Sequence, residues 1–335
     1  MTSPLHPDFT TGSIIGLIGH GVTGSRVAGH LLADGLRVAA YDPAPIPPRP
    51  GLVRVDDVAD LMSCDLVVLC SPAPHSDTAE RFLRHGIPVV SLGDDLDDLR
   101  ALVQLHDAAE EAGVGVVVGA GMAPGLSGLL ARYLAAQLHQ VEELHVAVHG
   151  TGGPACARQH HHALGDTALG WHDGDWIEPP GGSGRELVWF PEPVLAHDCY
   201  RAALGDPLLL RRSFPQTQRI SARMSATRRD RLTARFPMLT PPHAAGDLGS
   251  VRVEARGSTA EGERLTLIAG ASGPTGELAA AVCAATALMV VRTPLTPGVH
   301  TTACRELTEG QLLHHTTRLG VRVQEFTGVA RATSW

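Results

Sequence analysis

Two groups of residues in this sequence have types and spacings that can do chemistry. The first is Gly19-His20-Gly21-Val22-Thr23-Gly24, which reads G-x-G-x-x-G. Between a strand and a helix such a turn holds a pyrophosphate. Gly19 permits the tight turn, Gly21 lets the phosphates approach the backbone, and Gly24 lets helix and strand pack closely. The helix N-terminus favours the negative charge. Asp42 ends the next strand, about 20 residues on, where a carboxylate would accept hydrogen bonds from ribose hydroxyls and repel a 2′-phosphate. Pro43 and Ala44 follow it, with no adjacent arginine. This favours NAD and leaves NADP open. The bland alternative is a similar domain that binds no cofactor.

The second group opens the other half of the chain, in HGTGGPACARQHHHALG at 149–165. Arg158 is a candidate clamp for a substrate carboxylate, because a guanidinium forks onto two oxygens. His160, His161 and His162 invite a zinc reading. Consecutive helical residues point about 100° apart, so three in a row cannot chelate one ion from a regular helix. No metal is therefore expected. One of these histidines, His161, is the expected proton donor. A second glycine-rich turn, GGSGRELVWFPEP at 181–193, supplies Arg185 as another clamp candidate. Trp189 and Phe190 beside it read as core or pocket wall. Asp198 and Cys199 have no spacing that makes them a dyad.

These residues need a frame. Residues 13–19, 36–42, 64–70, 87–93 and 114–119 read as short buried strands. Helical stripes lie between several of them, including Val27, Ala28, Leu31 and Leu32, and an amphipathic helix over 94–113 with an acidic first turn. Alternation of this kind predicts an α/β fold, a doubly wound parallel Rossmann sheet. Ligands collect at the carboxyl edge of such a sheet. Cys70, Ser71 and Pro72 fall there, small enough to leave room for a nicotinamide ribose. Residues 116–135, VVVGAGMAPGLSGLLARYLA, enter a glycine-rich corner. Gly121 and Met122 there would face the nicotinamide, and Pro124 suits the first turn of the following helix. A domain-crossing bend with unusual torsions is the alternative use of that corner.

The expected domains are a dinucleotide-binding unit over 1–125, an α+β substrate and dimerisation unit over 126–270, and a C-terminal helix and tail over 271–335 packing back on the first. Residues 223–235, RMSATRRDRLTAR, read as a basic helix, solvated or subunit-facing.

Composition narrows the function. All 27 basic side chains are arginine, so no lysine Schiff base or lysine general base exists. Net charge is −8, which argues against nucleic acid as a partner. Six cysteines without a CxxC pair suit reduced thiols and a cytoplasmic location. The first residues lack a basic n-region and an apolar h-region, so no export signal is expected. No apolar run reads as long and charge-free enough to span a bilayer, so no membrane partner is expected.

The opening IIGLIGHGVTGSRVAGHLLADGLRVAAYDPAP resembles the 3-hydroxyisobutyrate dehydrogenase family. That family's catalytic lysine has no counterpart here. GAGMAPGLSGLLARYLA resembles the saccharopine dehydrogenase-like family, in which a G-x-x-P-G-L-S corner ends the nucleotide domain. The order of strand, CSPAPH, GIPVVSLGDD, helix and GAGMAPGLS follows that family through the first 140 residues or so. The resemblance implies an NAD(P)-dependent oxidoreductase, acting at a C–N or C–O carbon of an amino-acid-like or 2-oxo-acid-like carboxylate, and a homodimer. A hydroxyacid dehydrogenase on the same fold and a non-catalytic dinucleotide sensor are the other readings.

Overall fold

The structure is a computed structural model that describes residues 12–238, 241–307 and 311–326. The N-terminal stretch read for an export signal lies almost wholly outside the described residues.

The first half alternates as its hydrophobic pattern requires. Strands β1 (Ile14–Ile18), β2 (Arg37–Tyr41), β3 (Leu52–Arg54), β4 (Leu66–Leu69), β5 (Val89–Ser91) and β6 (Gly115–Val118) are short and apolar. Helices α1 (Gly24–Ala33), α2 (Ser76–Leu83), α3 (Leu96–Gln104) and α4 (His106–Ala112) lie between them. In α1 the 3- and 4-residue spacing buries Val27, Ala28 and Leu31. The single helix expected over 94–113 is two helices, α3 and α4. Asp95 caps α3, its side chain accepting from the N–H groups of Asp97 and Asp98.

Helix α5 (Leu126–Ala135) leads into the second half. There follow β7 (Gln140–His149), α6 (Pro154–Gly165), β8 (Gly170–His172), β9 (Asp175–Ile177), β10 (Glu186–Trp189), β11 (Ala196–Arg201), α7 (Asp206–Ser213) and β12 (Arg219–Ser225). The chain then forms α8 (Arg228–Thr233), β13 (Leu248–Ser258), β14 (Arg264–Pro274), α9 (Thr275–Arg292), β15 (Gly298–Thr301), α10 (Gln311–Arg318) and β16 (Val323–Glu325).

The first sheet runs β15-β6-β5-β4-β1-β2-β3, parallel throughout. Its order reverses between β4 and β1, which opens a crevice at the carboxyl edge. The second sheet runs β10-β11-β12-β7-β13-β14-β16, with β8 and β9 beside β12. Its pairs are antiparallel except β7 with β12, so the sheet is mixed. Helix α9 packs against α1 and also against β14, and so lies between the two halves. By length and composition α9 could cross a bilayer, contrary to the sequence expectation. Its window is 83% buried inside the protein. The C-terminal elements serve both sheets: β15 pairs with β6, and β16 with β14.

Three local expectations change. Residues 223–235 divide between the end of β12 and the short α8, because Ile220, Ala222 and Met224 alternate into the core at strand period. Trp189 is 59% exposed while Val188 is buried, the same alternation on β10. Pro124 stands before the helix cap Gly125 rather than in the first turn, and its bond from Ala123 is cis.

Candidate active site

Sheet register gathers the cofactor candidates. Ile18 pairs with Tyr41 on one side and Leu69 on the other, so Gly19, Asp42 and Cys70 leave three adjacent strands together. The Gly19 N–H donates to Tyr41 O at 2.9 Å, and the Cys70 N–H to Ile18 O at 2.7 Å. Gly19 has φ +93°, and a Cβ there would meet Ser71 N at 2.4 Å. A Cβ on Gly24 would meet Gly19 O at 1.9 Å. A Cβ on Gly21 would meet nothing within 4 Å. The outer two glycines are thus held by backbone, and the middle one faces open space.

Asp42 is fixed in place. Its Oδ2 accepts from the His20 N–H at 2.6 Å and its Oδ1 from the Ala44 N–H at 2.8 Å. Burial lowers the pKa of His20, and the nearby Arg49 charge lowers it further. Arg49 is not a sequence neighbour of Asp42, but the fold brings its charge to this end of the cleft.

Below the turn, His75 pins the loop that carries Ser71 and Pro72. It is 1% exposed. Its Nε2–H donates to Ser71 O at 2.8 Å, which leaves Nδ1 to accept from the Ser91 hydroxyl at 2.8 Å. Buried Asp98 accepts from the His75 and Ser76 N–H groups at 2.8 and 3.0 Å. One acid of the expected dipole-facing turn is therefore a loop anchor. Burial holds the His75 pKa below its ordinary value.

One continuous cleft of about 760 Å³ runs from this turn to the second half. Of the expected cofactor residues, Gly19, Gly21, Val22, Thr23, Asp42, Cys70, Ser71, Pro72, Gly121 and Met122 line it. His20 and Gly24 do not line it. They hold Asp42 and the turn from behind. The corner is tight: a Cβ on Gly125 (φ +137°) would lie 1.9 Å from Gly121 O.

The far end of the cleft is formed by α6. The His160 side chain is 8% exposed and faces inward, with Nε2 3.3 Å from Asp94 Oδ2. Cys156 Sγ is 3.8 Å from His160 Nε2 and 3.9 Å from Asp94 Oδ2. Burial opposes a charge on His160, but Cys156 and Asp94 outweigh it and raise its pKa well above the ordinary value. Asp206, fully buried behind the cluster, is pushed up to about 6 by burial.

Arg158 lies at the rim, exposed, with no ion-pair partner among the described residues. The other two expected chemical residues lie elsewhere. The helix turns His161 outward, where its Nε2–H donates to Phe236 O at 2.9 Å. Arg185 is exposed and pairs with Asp198 at 2.9 Å. Neither lines the cleft. The histidine that faces the cleft is thus His160, one residue before the expected His161. Asp94 and Cys156 do not stand out in the sequence. The i, i+4 spacing of Cys156 and His160 is the one signal there.

No protein-family model matches this sequence, and no curated protein sequence does. Solved structures do. Saccharopine dehydrogenase (L-Glu forming) from Saccharomyces cerevisiae superposes with a TM-score of 0.68 over 94% of this chain and 100% of that one, at 14% identity. The chain has the saccharopine dehydrogenase fold. A meso-dapdh variant from Clostridium tetani E88 matches with a TM-score of 0.47 over 86% of this chain and 93% of that one, at 15% identity, too distant to argue from. At such identities the shared fold leaves substrate and residue roles to the cleft itself.

Proposed function

We propose that the protein is an NAD(P)-dependent oxidoreductase that acts at a C–N or C–O carbon of an amino-acid-like or 2-oxo-acid-like carboxylate. One observation carries this reading: a single cleft has open space over Gly21 at one end and Arg158 with Asp94, Cys156 and His160 at the other. The residues fit a dinucleotide, since the only glycine of the turn facing open space is the one that must admit phosphate. Asp42, held by two backbone N–H groups, would orient the adenosine ribose and favour NAD over NADP. When bound, the nicotinamide would supply or accept a hydride.

The chain's own residues do the rest. Arg158 holds the substrate carboxylate. The Asp94–Cys156–His160 cluster sets the His160 imidazole, paired with Asp94, beside the heteroatom at the reacting carbon, where charge changes during the reaction. The Gly121–Pro124 corner forms a thin wall against which a flat ring can lie. The yeast protein of this fold is named as forming L-Glu; a small amino-acid-like carboxylate is the matching substrate class here. The protein is proposed to work as a homodimer in the cytoplasm.

The test is NADH consumption with a panel of 2-oxo acids, each with and without ammonia or a primary amino acid. Turnover that requires the amine supports C–N chemistry. Turnover without it supports a hydroxyacid dehydrogenase. Tight NADH binding with no turnover across the panel supports a dinucleotide sensor and contradicts the proposal.

A further inference from the structure

We infer that Asp94, Cys156 and His160 form a binding site for one Zn²⁺ ion at the substrate end of the cleft. Three different ligand types converge there, and each offers one donor atom to a common centre. Cys156 and His160 are one helical turn apart on α6, so both side chains leave the same face. Asp94 comes from the loop after β5, at the carboxyl edge of the first sheet.

The distances leave room for a metal ion at the centre of the cluster. A charged N–H···O pair normally closes to about 2.7–2.9 Å. Here His160 Nε2 to Asp94 Oδ2 is longer, at 3.3 Å, and the sulfur edges, at 3.8 and 3.9 Å, are at the long end of thiol hydrogen bonds. Tetrahedral zinc, with bonds of about 2.0–2.2 Å to nitrogen and oxygen and about 2.3 Å to sulfur, sets its ligand atoms roughly 3.3–3.6 Å apart. The centre of the circle through the three atoms lies about 2.1 Å from each, which is already bonding distance.

The donor set selects the ion. Thiolate and imidazole with one carboxylate suit zinc, whereas magnesium and calcium take oxygen sets. Three protein ligands leave a fourth position, as in catalytic rather than structural zinc sites. All three residues line the cleft, so that position can take a water or a substrate heteroatom. Zinc there would polarise that heteroatom as a Lewis acid. This last role rests on the oxidoreductase reading; zinc binding itself does not. The three adjacent histidines are not the ligand triplet, since only His160 belongs to the site.

The experiment uses full-length protein, stripped with chelator under thiol reductant and titrated with Zn²⁺ against a chromophoric chelator, then with Co²⁺. One equivalent of Zn²⁺ should bind tightly. Co²⁺ should give the intense visible bands of a four-coordinate site and a near-ultraviolet thiolate-to-metal band. Cys156→Ser should lose the thiolate band, and Cys156→Ser, His160→Ala and the near-isosteric Asp94→Asn should each weaken Zn²⁺ roughly tenfold or more. Circular dichroism checks that each variant is folded. Gly21→Val separates the two claims: it should lose NADH but keep its zinc. Absence of stoichiometric binding, or unchanged zinc affinity in folded Cys156→Ser and Asp94→Asn, overturns the site even if NADH binds.

Discussion

Asp42 Oδ2 accepts a 2.6 Å hydrogen bond from the backbone N–H of His20, which ties the tip of β2 to the glycine turn. The carboxylate therefore cannot swing away to admit a 2′-phosphate without breaking this bond and the one from Ala44. NADH should bind more tightly than NADPH. Asp42→Ser should shrink or reverse the order, because Arg49 then stands at that end without its competing carboxylate. Titration of both cofactors at one salt concentration checks this. A wild-type preference for NADPH would assign the choice to Arg49 instead.

The glycines of the turn should respond differently to the same substitution. Gly21→Val should abolish NADH binding and keep the native melting temperature, since its Cβ meets no protein atom within 4 Å. Gly24→Val should instead lower stability, because its Cβ would sit 1.9 Å from Gly19 O. Thermal unfolding alongside NADH fluorescence separates the two. A folded Gly21→Val that binds NADH normally would remove the phosphate site from this turn.

Local rules make that turn legible in the amino-acid sequence: the roles of Gly19, Gly21 and Gly24 depend on a strand, a turn and a helix contiguous in the chain. The parallel sheet is legible for a similar reason, since β1, β2, β4, β5 and β6 are near-continuous apolar runs. The chemical end of the cleft is harder. Asp94 and Cys156 are 62 residues apart and meet only because β5 ends and α6 begins at the same edge. Helical phase decides which of three histidines faces inward; Ala157, three residues before His160, and Leu164, four after it, mark that buried face, a short stripe that the reading of the three histidines does not use. The His75–Asp98 anchor is hidden because an acid in a first turn already has an adequate local explanation.

Arg158 should behave as a clamp and Arg185 as a surface residue. A bidentate arginine–carboxylate contact is worth roughly 1.5–3 kcal/mol, so Arg158→Lys should raise KM about tenfold or more. Arg185→Lys should leave KM unchanged, since its partner is Asp198. Steady-state kinetics on the substrate found by the panel make the comparison. Unchanged KM in Arg158→Lys would place the carboxylate elsewhere.

His149 should cost stability in mild acid, against the opposite contributions of Asp206 and His160, whose raised pKa values favour the folded chain there. Burial and the adjacent His197 hold His149 at about 4, below its ordinary 6.5. The unfolded chain then takes up a proton from about pH 6.5 downwards while the folded chain does not, so stability is full above 6.5 and is lost as pH drops towards 4. His75 acts in the same direction. His149→Phe removes one such group. Allowing for partial exposure, it should recover about 1–2 kcal/mol of the acid loss relative to pH 7. Denaturant unfolding at pH 7 and 4.5 reads this; an equal acid loss in both proteins would remove His149 from the account.

The central claim is that one cleft holds a dinucleotide at the glycine turn and a reacting carbonyl or imine at the α6 cluster. Its most direct measurement is NADH oxidation with the amine-supplemented 2-oxo acid panel, in parallel on wild type, Gly21→Val and His160→Ala. Wild type should turn over, Gly21→Val should lose both NADH binding and turnover, and His160→Ala should lose turnover while retaining NADH binding. Wild-type NADH binding without turnover, or undiminished turnover in His160→Ala, would contradict the claim.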